Sequence, residues 1–260
     1  MIGRPFIESV LRRDRALVIF GLLAAVALSW AYLLAGAGMS MHEMHGMLMP
    51  MRTEPWTIGY AAVVLAMWAV MMAAMMLPSA APMILFYGTI ARRRLDRGDP
   101  TTASGVFALG YVFIWAAFSV AAVGLQFALE EAALLSPMME TTSVVFAGAV
   151  LIAAGVYQWT PLKQACLRRC RSPLEFVMTQ WREGVRGALI MGLSHGAYCL
   201  GCCWLLMLLL FVGGIMNLGW IAALAFFILV EKLAPAGHGI GRFAGAALIV
   251  WGAVTLLSSN

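Results

Sequence analysis

The residues best able to do chemistry in this sequence are thiols and thioethers, and they are clustered. Cys199, Cys202 and Cys203 fall within five residues, and His195 stands four before Cys199. At helical spacing these four share one side of a helix. Sulfur ligands select soft ions such as copper(I), and imidazole suits copper and zinc as well. A lone buried cysteine is ordinarily a small hydrophobe. Three of them beside a histidine in an apolar run point instead to metal binding or redox exchange. Gly192, Gly196 and Gly201 on the same stretch would let another helix or an ion come close.

A second cluster lies between Met39 and Met51, where six methionines and two of the chain's four histidines fall within thirteen residues. Met41, His42, Met44, His45, Met47 and Met49 together make a soft, uncharged donor set that stays competent where thiols would oxidise. The alternative is an adaptable apolar loop lying among lipid headgroups. Just downstream, Met67, Met71 and Met75 recur every four residues, as do Met72 and Met76, so each set stacks along a helix face. A column of thioethers could pass copper(I) along the helix; methionine is equally ordinary packing material. Finally, Cys166 and Cys170 sit four apart among Lys163, Arg168, Arg169 and Arg171. Nearby positive charge would favour the thiolate, the form that binds metal.

The elements that must position these groups are membrane helices. Of 260 residues, 63% are hydrophobic and 11% charged, and the mean hydropathy is +0.89. A soluble domain carries roughly a quarter of its residues charged, so lipid must face most of this surface. Apolar runs long enough to cross a hydrocarbon core recur along the chain, and backbone in lipid must satisfy itself as helix. The expected fold is all-α, a polytopic transmembrane bundle forming a single domain. About seven spans are expected, near 17–37, 58–88, 105–127, 142–160, 187–214, 217–231 and 241–257, with six as the alternative. Pro78 and Pro82 are expected to kink or end the second.

Charge gives an orientation. With this helix count, sixteen of the seventeen basic residues fall on one face and only Arg52 on the other. Basic residues collect on the cytoplasmic side, so the N-terminus is expected inside and the Met/His loop outside. The first span is expected to be retained, without a convincing cleavage site at its end. The same bias explains the net charge of +5 without any nucleic acid. Loops between spans are too short for a nucleotide-binding domain, and no phosphate loop ending in Lys-Ser or Lys-Thr is present. A basic loop at 161–186 is expected on the inner face, with Glu231 and Lys232 as an ion pair at the inner rim.

Several runs resemble one bacterial family. They are Met72 to Ser79 with Pro82 and Met83, Tyr157 to Lys163 with Cys166, Cys170 to Pro173, and Gly196 to Trp204. Met216 to Leu218 and the Glu231–Lys232 pair complete the pattern. Over roughly residues 60–257 the chain is similar to the predicted metal-binding integral membrane proteins, some known only as a domain of unknown function and some labelled copper chaperones. The resemblance implies metal binding in the membrane, without a settled reaction; the Met/His loop lies outside it.

The leading expectation is a passive copper(I) chaperone or importer in a bacterial inner membrane. The outer loop would capture the ion, Met71, Met72, Met75 and Met76 relay it, and His195, Cys199, Cys202 and Cys203 hold it. Cys166 and Cys170 would hand it to a cytoplasmic acceptor, with a periplasmic donor as the other partner class. One alternative is a thiol–disulfide or quinone-linked oxidoreductase using Cys199 and Cys202. Another is an assembly subunit of a larger membrane complex.

Overall fold

A computed structural model describes residues 3–44, 47–51, 55–95, 97, 104–137 and 139–258, with side-chain detail for 16–39, 55–94, 97, 104–137 and 139–258. Ten helices follow one another: α1 (Gly3–Leu34), α2 (Ile58–Leu95), α3 (Ser104–Glu131), α4 (Val144–Tyr157), α5 (Pro161–Arg171), α6 (Pro173–Gln180), α7 (Gly184–Leu208), α8 (Leu210–Gly213), α9 (Leu218–Leu233) and α10 (Gly237–Leu257). Between α1 and α2 the Met/His segment forms an antiparallel hairpin of β1 (Ser40–Met44) and β2 (Met47–Met51). Its backbone register sets His42 opposite Met49 and Met44 opposite Met47.

Among the described residues five helices are long and apolar enough to cross a membrane, or up to six if the bent pair α4–α5 counts as one span. This is fewer than the seven expected. The shortfall lies in α9, whose 16 residues extend about 24 Å against a hydrocarbon core of about 30 Å. It also lies in α4, which turns by 64° into α5. The helix of the second span does not end at its prolines: α2 runs through Pro78 and Pro82 to Leu95. The outer surface is greasy where lipid would lie, with Phe20 72% and Phe243 80% exposed. A soluble monomer rarely leaves such apolar area open.

Local signals set the helix boundaries. Ser143, Thr160 and Asn217 each accept a hydrogen bond from the backbone amide three residues on, capping α4, α5 and α9. Pro161 and Pro173 occupy first-turn positions, where a missing amide proton costs nothing. Gly214, at φ 93°, turns the chain from α8 toward α9.

Packing rests on small residues. Gly110 of α3 and Gly192 of α7 bring two backbones so close that a Cβ on Gly192 would meet the Phe107 carbonyl oxygen at 2.1 Å. Gly155 and Gly245 do the same between α4 and α10. In lipid, where apolar burial supplies little drive between helices, such close approach is what dispersion contacts need. α2 lines the core with Val64, Met67, Trp68, Met71, Met72 and Met75, all fully buried. α5 is not part of a solvated inner loop, as the sequence led us to expect. It packs on α7, and Leu167 and Lys163 are buried.

Candidate metal centre

α7 carries His195, Cys199, Cys202 and Cys203 into the centre of the bundle, and all four are buried. Cys199 is the focus. Its sulfur accepts from the Lys232 ammonium at 2.9 Å and lies 3.1 Å from the Tyr111 hydroxyl. Cys202 and Cys203 both donate to the Cys199 carbonyl, each at 3.0 Å. From α5, Cys170 is half-buried and packs against the core that holds the α7 cysteines.

A polar collar closes around this sulfur. Lys232 also donates to the Ser79 hydroxyl at 3.1 Å, and Ser79 in turn donates to the Met76 carbonyl at 2.9 Å. Tyr111 donates to the same carbonyl at 3.2 Å. Four helices therefore gather around one thiol: α7 carries Cys199, α3 and α9 reach it through Tyr111 and Lys232, and α2 holds Lys232 through Ser79.

The sequence-predicted residues divide into those brought together and those kept apart. Cys199, Cys202 and Cys203 are together, and Cys170 packs against the core that holds them. Cys166 lies beside them, its sulfur packed where a side chain on Gly201 would sit, 2.8 Å from that position. The Tyr157 hydroxyl bonds the Gly201 carbonyl in the same contact. His195 is set apart: its ring is boxed by Phe107, Tyr111 and Phe176, and its Nδ1 has no partner among the described residues. Met71, Met72, Met75 and Met76 are interior, and the Met76 carbonyl belongs to the collar. His45 lies outside the described residues. For Met41, His42, Met44, Met47 and Met49 the description is of backbone only.

Two readings of charge need correcting. Two of the arginines expected to surround Cys166 and Cys170 point elsewhere. Arg169 reaches Thr179 and stacks over Tyr198, while Arg171 bonds the carbonyls of Ala234 and Pro235. A thiolate made by a basic loop is therefore unsupported. Nor do Glu231 and Lys232 pair with each other. Neighbours on a helix diverge by about 100°. Glu231 turns to Lys163, with Nζ 2.8 Å from both carboxylate oxygens, and Lys232 turns to Cys199. Both lysines are buried, not on the basic face.

Sequence reasoning missed Tyr111, Ser79 and the inward placement of Lys232. Lys232 did carry a signal, since an ionisable residue at the end of an apolar helix marks function when it faces the bundle interior.

Among the described residues no group of three or more His, Cys, Asp or Glu side chains stands arranged to hold a metal ion. The hydrogen bonds explain why. Cys202 and Cys203 are folded back onto the Cys199 carbonyl instead of aiming with it at a common point. The donor set itself suits a soft ion, because three buried thiols share α7 and the α5 cysteines pack against the same core.

A family model, PpoB2, described as copper chaperone, matches residues 65–255. The chain belongs to that family. The matched region holds α7 with its cysteines, α5 with Cys166 and Cys170, and the end of α9 with Lys232. All of α1, the hairpin and the first turns of α2 precede it, so the copper-chaperone description covers the thiol neighbourhood and leaves the Met/His segment outside. No curated protein and no solved structure matches the chain.

Proposed function

We propose that this copper-chaperone-family protein is a passive membrane carrier that binds copper(I) at Cys199 with a second thiol from Cys170, Cys202 or Cys203. The observation that carries this reading is the cluster of buried α7 thiols around Cys199, with the half-buried α5 cysteines packed against the same helix. Thiols select soft ions, and a two-coordinate ion asks for only a pair. Turning Cys202 or Cys203 away from the Cys199 carbonyl gives up a single weak hydrogen bond, on the order of 1 kcal/mol.

The other sulfur and imidazole groups take roles by position. Met41, His42, Met44, His45, Met47 and Met49 capture copper at the hairpin. Met71, Met72, Met75 and Met76 line its way inward, with Cys166 and His195 flanking the centre. In this reading the hairpin faces the outer compartment of a bacterial inner membrane, and the N-terminus and basic loops face the cytoplasm. A copper donor outside and an acceptor inside complete the path.

The test is metal content by mass spectrometry on the purified wild type and on C199S/C202S/C203S, both from copper-supplemented cells, with circular dichroism to verify helix content. Near-stoichiometric copper in the wild type alone is expected. Absence of copper from both proteins contradicts the reading.

A thiol–disulfide reading has one specific support, the packing of α5 with Cys166 and Cys170 against the helix that carries the α7 pair. A Cys170–Cys199 disulfide that tracks quinone redox poise would favour it over copper binding.

A further inference from the structure

Lys232 is a buried ammonium with no carboxylate partner among the described residues. Its neighbour Glu231 is taken by Lys163, on another side of α9. The partners of Lys232 among the described residues are the Cys199 sulfur at 2.9 Å and the Ser79 hydroxyl at 3.1 Å. A buried charge without a counter-charge is strongly unfavourable, so a lysine held this way needs something negative beside it. Ser79 stays neutral and serves to aim the ammonium, since its own proton goes to the Met76 carbonyl.

We infer that Lys232 is the specificity-determining residue of the thiol site, a fixed positive charge that selects a singly charged soft cation over a doubly charged one. This rests on the copper-binding reading above and deepens it. Two thiolates and a monovalent ion together carry one negative charge, and the ammonium brings the buried assembly to neutrality. Two thiolates and a divalent ion are already neutral, and the ammonium then remains as an unbalanced buried charge. In both cases two sulfur–metal bonds replace two sulfur–proton bonds, or one where a thiolate already exists. Protons leave in equal number, so they cancel in the comparison of ions.

Copper(I) and mercury(II) make the comparison clean, because both bind two thiolates in a linear arrangement and differ in charge. Lys232→Met removes charge and donor, Lys232→Gln removes the charge but keeps a donor, and Lys232→Arg keeps the charge. Affinities of the full-length protein in detergent would be measured for each ion by competition, against a copper(I) chelator and against a small dithiol. The expected result is a roughly hundredfold fall in the copper(I)-to-mercury(II) affinity ratio for K232M and K232Q, the size of a lost buried charge partner, with K232R close to wild type. Retained mercury(II) binding shows that the thiols are still in place.

Equal weakening of both ions in K232M and K232Q, or no change in either, would overturn the inference, because a lysine that only positions Cys199 affects both ions alike. A wild type that binds copper(I) with an unaltered ratio in the variants sinks the role of Lys232 and leaves the thiol site standing. A wild type that binds neither ion sinks both.

Discussion

Two lysines enter the interior of this bundle, Lys163 from α5 and Lys232 from α9, and different chemistry meets them. Lys163 is fully buried and closes on Glu231 at 2.8 Å, a hard cation on a hard carboxylate. Lys232, one residue from Glu231 along the chain, closes on a sulfur. The first contact matches charge with charge. It ties α5 to the end of α9 and so holds Cys166 and Cys170 against α7. The second contact is open, because a sulfur that faces an ammonium can still take a soft ion. The contrast separates a pair that holds the fold from a pair that waits on a ligand.

The largest effect should come from breaking the closed pair. Glu231→Gln leaves the Lys163 ammonium buried and unmatched, which should lower stability by about 3–5 kcal/mol. Thermal unfolding in detergent would read this. Removing both charges with K163M/E231L should recover most of the loss, since a buried ion pair is often replaceable by apolar side chains of similar size. A double variant no more stable than the single one would mean that the pair does more than balance charge.

Cys199→Ser should act mainly on the ligand. It keeps a polar group beside Lys232 and Tyr111, but a hydroxyl cannot balance the ammonium, so stability should fall by about 1–3 kcal/mol, less than for Glu231→Gln. Bound copper should be lost as well. Metal content and unfolding measured on the same preparation check both halves, and a large stability loss would show that the thiol network is structural.

The smallest effect concerns how α5 sits on α7. Gly201→Ala places a methyl 2.8 Å from the Cys166 sulfur, the free end of a short side chain that can turn aside. A cost of roughly 1 kcal/mol is expected, at the low end for adding a methyl to a packed site. Unfolding in detergent would measure it, and a loss of several kcal/mol would mean that α5 is locked to α7 more rigidly than Lys163–Glu231 alone implies.

Much of this architecture was legible in the sequence because lipid-facing helices write themselves as apolar runs bounded by charge. The expected spans at 105–127 and 241–257 fall within α3 and α10, which run a few residues further. The grouping of Cys199, Cys202 and Cys203 on one helix was also legible, since it follows from spacing. The path of α5 was not. Its residues Lys163, Arg168, Arg169 and Arg171 read as a solvated basic loop, and only tertiary packing lays Cys166 and Cys170 against α7 and the core. Glu231 and Lys232 misled in a different way. Adjacent opposite charges look like a pair, but a helix sends neighbours to different sides, and each found its partner on another element. The hairpin went unseen because a methionine-rich run carries no strand alternation.

X-ray absorption at the copper edge, on the copper-loaded wild type and on C199S, tests the central claim most directly. The account predicts a copper(I) edge and a first shell of sulfur alone at low coordination in the wild type, absent from C199S. A first shell of nitrogen or oxygen, or a sulfur shell that C199S leaves unchanged, would contradict it.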